Sequence, residues 1–191
     1  MRWLTACIFL LASLPVGSQD PRVPNPSFED EPRDATVPQG WLPCQPGTTP
    51  DILPGYWGVY LPPADGESYV GLITRPNGTW ESIGTRMSAP LVPETCYDMA
   101  IDLAHSESYA GYAGRIRLRI WAGSLKCLKD QLIWESPVIE STDWKTFPIR
   151  FRADGPHRYL LLEAFYSEEE FSFAGNILLD RLTGPRSCEK T

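Results

Sequence analysis

The sequence has no basic tract. Its 17 Lys and Arg stand against 24 Asp and Glu, a net charge of −7, so nothing is concentrated to hold a phosphate backbone, and a nucleic-acid partner is excluded. Histidine is scarce: only His105 and His157 occur. There is no Gly-x-Ser-x-Gly elbow, so no serine-nucleophile triad announces itself. No Cys-x-x-Cys knuckle offers zinc a nucleus. No segment has the period of a long amphipathic helix. No internal repeat or low-complexity tract is present. Beyond the N-terminus, no apolar run is long enough for a membrane span.

What is present begins with an address. Residues 1–18 read as a signal peptide: Arg2 forms a short positive region, Leu4 to Leu14 is mostly apolar, and Val16-Gly17-Ser18 presents small residues before Gln19. The expected location is secreted, periplasmic or cell-surface, with residues 19–191 forming one domain. Cys7 lies inside the apolar region. The other four cysteines, Cys44, Cys96, Cys127 and Cys188, suggest two disulfides with three possible pairings. The favoured pairing is Cys96–Cys127, joining neighbouring strands, with Cys44–Cys188 tying the N-terminal loop to the tail.

The rest reads as sheet. Tyr97, Met99, Ile101 and Leu103 alternate with Asp98, Ala100, Asp102 and Ala104. Arg115 to Ile120 alternates as cleanly, placing Ile116, Leu118 and Ile120 toward a core. Glu67 to Ile73, Thr79 to Met87, Gln131 to Glu135, Phe147 to Arg152, Arg158 to Tyr166 and Asn176 to Thr183 complete the set, with a further strand near Phe28. Tyr159-Leu160-Leu161-Leu162 lacks alternation and suits burial on both faces. Pro148 points to an edge strand or a bulge. Ser124 to Leu132 has room for a turn of helix at most. Eight to ten strands predict an all-β antiparallel sandwich of jelly-roll type. Residues 19–66 are rich in Pro and Gly but carry Trp41, Tyr56, Trp57 and Tyr60, too many aromatics for a disordered segment.

Several motifs occur in a familiar order. Asn25-Pro26-Ser27-Phe28-Glu29 is followed by Gly40-Trp41, Thr49-Pro50-Asp51, Asp65-Gly66-Glu67-Ser68-Tyr69-Val70-Gly71 and Trp80-Glu81, then by Ala89-Pro90-Leu91, Cys96-Tyr97 and Leu178-Leu179-Asp180. The layout, over roughly residues 23–183, resembles galactose-binding-like jelly-roll modules, of the carbohydrate-binding kind found in surface proteins of Bacteroidetes. The resemblance implies a non-catalytic module binding carbohydrate or a cell-surface glycan. The alternatives are a structural or adhesive envelope protein and, last, a polysaccharide-active enzyme. It also implies a structural Ca2+ with Glu29 and Asp180 as side-chain ligands and backbone oxygens near Asn25 and Ser27. Calcium wants several oxygens, and two carboxylates from opposite ends of the chain would neutralise it and join them. Pro26 stands where Gly is common, and Arg181 where a second Asp is common.

A sugar site needs an exposed aromatic to cover the apolar ring face and polar groups to meet the hydroxyls. The candidates are Trp57, Trp80 and Tyr166, with Glu81, Arg86, Asp102 and His105 as polar partners; Tyr60, Tyr109 and Tyr112 belong to the wider set. The competing reading is that most of these aromatics pack internally. Arg115, Arg117 and Arg119 read as a row facing Asp98 and Asp102, as a cross-strand charge ladder. Glu163, in a very apolar strand, reads as a buried carboxylate paired with an Arg. Ser167 to Glu170 reads as a solvated loop. Asn77-Gly78-Thr79 is an acceptor sequon or simply a tight turn.

Overall fold

The computed structural model describes residues 20–167 and 171–189. The expected signal peptide and Glu168–Glu170 lie outside the described residues. Among the described residues no helix forms, and none is long and apolar enough to cross a membrane. The chain builds β1 (Leu42–Pro43), β2 (Asp51–Leu53), β3 (Tyr69–Thr74), β4 (Ser82–Arg86), β5 (Cys96–Ala104), β6 (Gly114–Arg115), β7 (Arg117–Gly123), β8 (Gln131–Glu135), β9 (Lys145–Arg152), β10 (Tyr159–Phe165) and β11 (Gly175–Ser187). One sheet runs β1-β4-β10-β7-β8. The other runs β2-β3-β11-β5-β9, with β6 added in parallel to β11. All other pairings are antiparallel. This is the expected jelly-roll sandwich, with two of its strands only two residues long.

Alternation in the sequence becomes alternation in space. Tyr97, Met99, Ile101 and Leu103 of β5 point inward beside Ile177 and Leu179 of β11. Leu118 and Ile120 of β7 and Leu160 and Leu162 of β10 meet them from the facing sheet. Each such side chain, taken fully out of water, stabilises by roughly 1.5–3 kcal/mol. Leu160, Leu161 and Leu162 are all fully buried, as the unbroken apolar run requires. Pro148 lies on β9, which pairs with β5 alone and forms an edge, where a missing N–H costs no ladder bond.

The six-stranded sheet is apolar on its outer face as well. Leu53, Tyr69, Ile73, Ala104 and Leu178 point away from the main core and are buried by Val59 and Tyr109. These two come from the loops after β2 and β5. The outer face of this sheet is therefore covered by loops rather than by water.

Three expectations need correction. The N-terminal motif is not a strand. Asn25 and Phe28 have positive φ (46° and 55°) and form a turn, with Phe28 buried against Trp41 at 4.9 Å between ring centroids. Ser124 to Leu132 stays within its expected limit: Ser124 to Asp130 is a turn, in which Asp130 Oδ2 accepts from the Ser124 N–H at 2.7 Å and its hydroxyl at 2.6 Å. Arg115 and Arg117 do not share a strand, because the chain changes sheets at Ile116. Arg117 and Arg119 meet Glu135 of β8, whereas Asp98 pairs with Arg150 and Asp102 with Arg181. Finally, the disulfides are Cys44–Cys127 and Cys96–Cys188. β5 and β7 lie in different sheets, so Cys96 and Cys127 are not strand neighbours. Cys188 instead follows β11 directly opposite Cys96, and its N–H donates to the Cys96 carbonyl at 2.9 Å.

The two bridges span 83 and 92 residues. On the chain-entropy account, loops of this length contribute about 4–5 kcal/mol each. Peptide mapping without reductant is expected to give Cys44–Cys127 and Cys96–Cys188 linked peptides. Replacing Cys96 and Cys188 together by Ser is expected to cost about 2–5 kcal/mol in denaturant unfolding. Unchanged stability would contradict the assignment of that bridge.

Candidate functional site

The loop between β2 and β3 is anchored by what it buries. Val59 enters the small outer core. Its N–H donates to the Tyr56 carbonyl and its own carbonyl accepts from Gly55, both at 2.9 Å. Farther along, the Tyr69 hydroxyl and the Trp144 indole each donate, at 2.8 Å, to the carbonyls of Leu61 and Pro62. With Val59 pointing in, its neighbours point out: Tyr60 is 72 % exposed, Trp57 45 % and Tyr56 39 %.

The loop between β5 and β6 runs alongside. Ala110 N–H donates to the Trp57 carbonyl at 2.9 Å, and Ser108 Oγ donates to the Gly58 carbonyl at 2.6 Å. Gly58 has φ +79°, and a methyl group there would lie 2.8 Å from the Ser108 carbonyl oxygen, so only glycine permits this approach. Asn176, fully buried on β11, fixes the loop from below. Its carboxamide donates to the carbonyls of Ser106 and Tyr112 at 2.7 Å and accepts from the Ser106 N–H at 2.9 Å. Between the loops lies a cleft of about 350 Å3, lined by Gly58, Tyr60, Leu61, His105, Ser106 and Ser108 with Glu107 and Thr142. His105 is buried; burial lowers its pKa, so the imidazole is neutral at pH 7.

A larger groove of about 590 Å3 runs beside Gly114, Arg115, Glu140 and Phe173. Its aromatic, Phe173, is only partly exposed and packs against the main core, whereas Tyr60 stands clear of it.

Of the residues nominated from the sequence, Tyr60 and His105 line this cleft, with Trp57 exposed on the same loop as Tyr60. The others do not. Glu81 is fully buried and saturated: it accepts from the N–H groups of Thr49 (2.9 Å) and Ile73 (3.2 Å) and pairs with Arg75 at 2.6 Å. Burial pushes its carboxyl up. Asp102 is buried between Thr146 Oγ1 (2.6 Å) and Arg181 (2.5 Å). The buried Tyr166 donates its hydroxyl to the carbonyls of Arg75 and Thr79, closing the hairpin between β3 and β4. Trp80 is half-buried, its indole N–H on Glu163 at 2.7 Å. Arg86 is exposed at the end of β4, in the other sheet. Thus Glu81, Asp102 and Tyr166 are internal ties rather than ligand groups. Ser106 and Ser108 read only as part of a polar loop after His105, and Thr142 and Asn176 were not singled out; Asn176 alone of these two carried a signal, as the one polar side chain in the run Gly175 to Leu179.

The motifs at the two ends do meet. The Leu182 N–H donates to the Pro26 carbonyl at 2.9 Å. Asn25 organises the turn, accepting the Glu29 N–H at 2.8 Å and donating to the Glu29 and Gln39 carbonyls at 2.9 and 2.8 Å. Glu29 lays its carboxylate on Gly66, where a methyl group would overlap it. Its Oε2 accepts from the Glu67 N–H at 3.0 Å, whereas Oε1 is buried without a donor. Asp180 accepts three backbone N–H groups, from Ala64 (2.8 Å), Asp65 (3.0 Å) and Arg181 (2.6 Å). Even so, burial, reinforced by the charge of Glu29, pushes its carboxyl up to about 6.

With this geometry in place, comparison with known proteins becomes informative. No family model and no curated protein sequence matches the chain. Solved structures do. The Stig cyclase Fisc of Fischerella is 15 % identical with a TM-score of 0.57, covering 85 % of this chain and 94 % of its own. A cleaved adhesin domain of the Lys-gingipain of Porphyromonas gingivalis is 14 % identical with a TM-score of 0.53, covering 84 % and 97 %. The CBM22-1–GH10 modules of a Clostridium thermocellum xylanase, solved with xylohexaose, are 12 % identical with a TM-score of 0.51, covering 87 % of this chain and 29 % of that one. The fold is the jelly-roll sandwich that these structures share. At these identities the likeness concerns architecture.

Beneath the cleft's outer loop, Asp51 supplies a pH signature. It is buried, accepts the Ala35 N–H at 2.8 Å and takes the Tyr109 hydroxyl. Burial raises its carboxyl above the ordinary 3.8, and these bonds offset that only in part. A raised carboxyl holds its proton more tightly in the fold than in the unfolded chain. Its stabilising contribution is therefore complete below the unfolded value and is lost as pH rises through the folded one. Glu81 and Asp180 push the same way. In the presence of a chelator, the melting temperature is expected to rise as pH falls from about 7 toward about 5. Asp180→Asn, which removes the carboxyl pushed up to about 6, is expected to shrink that rise in circular-dichroism melts; an unchanged slope would refute the role given to Asp180.

Proposed function

We propose that the protein is a secreted, non-catalytic binding module, and that its ligand is a carbohydrate or cell-surface glycan taken at the cleft between the β2–β3 and β5–β6 loops. The observation that carries this reading is Tyr60, a large aromatic held 72 % exposed beside a cleft whose lining includes Ser106, Ser108, Glu107 and Thr142. An aromatic face covers the apolar face of a pyranose, and hydroxyls and a carboxylate meet its hydroxyls directionally. Trp57, on the same anchored loop, extends the apolar surface. The jelly-roll architecture shared with a xylanase's carbohydrate-binding module supports the same class of ligand.

A second reading, an adhesive protein that binds another envelope protein, is favoured by three exposed leucines, Leu125 and Leu128 in the β7–β8 turn and Leu132 on β8. A glycan array followed by calorimetry separates the two. Tyr60→Ala and Trp57→Ala are each expected to weaken glycan binding about tenfold, or about 1.4 kcal/mol, with unchanged melting temperature. Binding that both variants retain in full, or no glycan bound at all, would overturn the first reading.

We also propose a structural Ca2+ at the seam of the two end motifs. The fit rests on the buried, donorless Oε1 of Glu29 beside an Asp180 carboxyl that Glu29 already disfavours as an anion. Among the described residues no three His, Cys, Asp or Glu side chains converge. A cation here would therefore be held by Glu29 and Asp180 with backbone oxygens of the 25–29 turn, and would cancel their repulsion. Added Ca2+ is expected to raise the melting temperature and EDTA to reverse it, with Glu29→Gln abolishing the response. A wild type indifferent to both would count against the site.

A further inference from the structure

The outer face of the five-stranded sheet, on the opposite side of the sandwich from the cleft, holds a closed polar knot. Glu163 of β10 is buried there, with Ser82 of β4 and Arg119 of β7 as its strand neighbours. Its Oε1 accepts the Trp80 indole N–H at 2.7 Å, and its Oε2 accepts the Trp121 indole N–H at 2.8 Å. The third donor is the Lys129 ammonium, on Oε1. That ammonium also lies 5.9 Å from the Trp80 ring centroid and 5.8 Å from that of Trp121. A carboxylate flanked by two indoles, with a cation on it and within reach of both rings, is the chemistry that recognises an ammonium group.

The cation does not come from the sheet. Arg119, next to Glu163 in register, is committed elsewhere: its guanidinium meets Glu135 at 2.5 Å and lies 3.4 Å from the centre of the Phe165 ring. Lys129 arrives from the β7–β8 turn, which folds back over the sheet and is stitched down by Cys127 to Cys44. Gly123 makes the fold-back possible, since any side chain there would strike the Leu128 carbonyl. The Lys129 side chain keeps 29 % of its surface exposed, against 2 % for Glu163.

We infer that Trp80, Trp121 and Glu163 form a binding site for a primary alkylammonium group, filled in cis by Lys129. The β7–β8 turn acts as a tethered internal ligand. High local concentration keeps it seated, because the tether makes the contact intramolecular. When the turn lifts, a small amine, or a lysine side chain presented by a peptide, takes the vacated place. A primary ammonium fits because it brings N–H donors for the carboxylate as well as charge for the rings. A quaternary ammonium offers charge alone. This inference is independent of the glycan reading and lies on a different face.

The test empties the site and refills it. In Lys129→Ala, n-butylammonium chloride is expected to raise the melting temperature and shift the indole fluorescence. Wild type at the same concentration is expected to respond at least tenfold less, as is Lys129→Ala/Glu163→Gln. Tetramethylammonium chloride, at equal ionic strength, is expected to reproduce little of the effect. A short lysine peptide with blocked termini, run in parallel, separates a side-chain source from a free amine. A Lys129→Ala response no larger than that of wild type, or equal for the quaternary salt, overturns the inference. If Lys129→Ala does not fold, Cys44→Ser/Cys127→Ser provides the second variant: Lys129 stays but its turn is released. n-Butylammonium is then expected to bind where it does not bind wild type, and failure there overturns the inference equally.

Discussion

The arrangement depends on one constraint: the six-stranded sheet is apolar on both faces. The inward face is satisfied by the facing sheet. The outward face, with Leu53, Tyr69, Ile73 and Leu178, has no third layer of regular structure to cover it. Loops do that work instead, and to do it they must insert Val59 and Tyr109. Inserting those two fixes the direction of everything between them. Tyr56, Trp57 and Tyr60 are left facing solvent because the backbone that carries Val59 inward has no room for them there. The cleft is a by-product of covering a hydrophobic sheet with ordered chain.

The acidic residues follow a related logic. The chain carries 24 Asp and Glu, and several of them are inside. Each buried carboxylate is matched to a separate set of donors: Glu81 to Arg75 and two amides, Asp102 to Arg181 and Thr146, Glu163 to two indoles and an ammonium. Burying such a group without partners is costly, and partners supplied from distant parts of the chain make it a tie between segments. Two oxygens fall outside this pattern: Glu29 Oε1 is buried without a donor, and Asp102 Oδ2, although ion-paired with Arg181, takes no hydrogen bond.

Strands were legible in the sequence because their signal is local. The alternation in β5 and β7 states which side chains face the core, and the unbroken run in β10 states that it is buried on both faces. The disulfides were not legible, because cysteine pairing depends on which sheet each strand joins. The switch of sheets at Ile116 leaves no mark in the spacing of Arg115, Arg117 and Arg119. Candidate ligand residues were half legible. Aromatic and acidic side chains suit a sugar and suit a buried tie equally well, so Trp57 and Glu81 looked alike until burial separated them. His105 was legible as a polar residue ending a strand, whereas Ser108 matters only because Gly58 lies against it.

The Cys96–Cys188 bridge has a mechanical consequence. β11 runs beside β5 over much of its length, and Cys188 lies just past its end, opposite the first residue of β5. Tension applied at residue 188 would ordinarily peel β11 from its neighbour one hydrogen bond at a time, beginning at Ser187. The bridge passes that tension into the start of β5 through a covalent link. Unzipping from that end is thereby blocked, and the two strands can part only by sliding past one another with many bonds broken at once. A domain clamped in this way keeps its shape while something pulls on it.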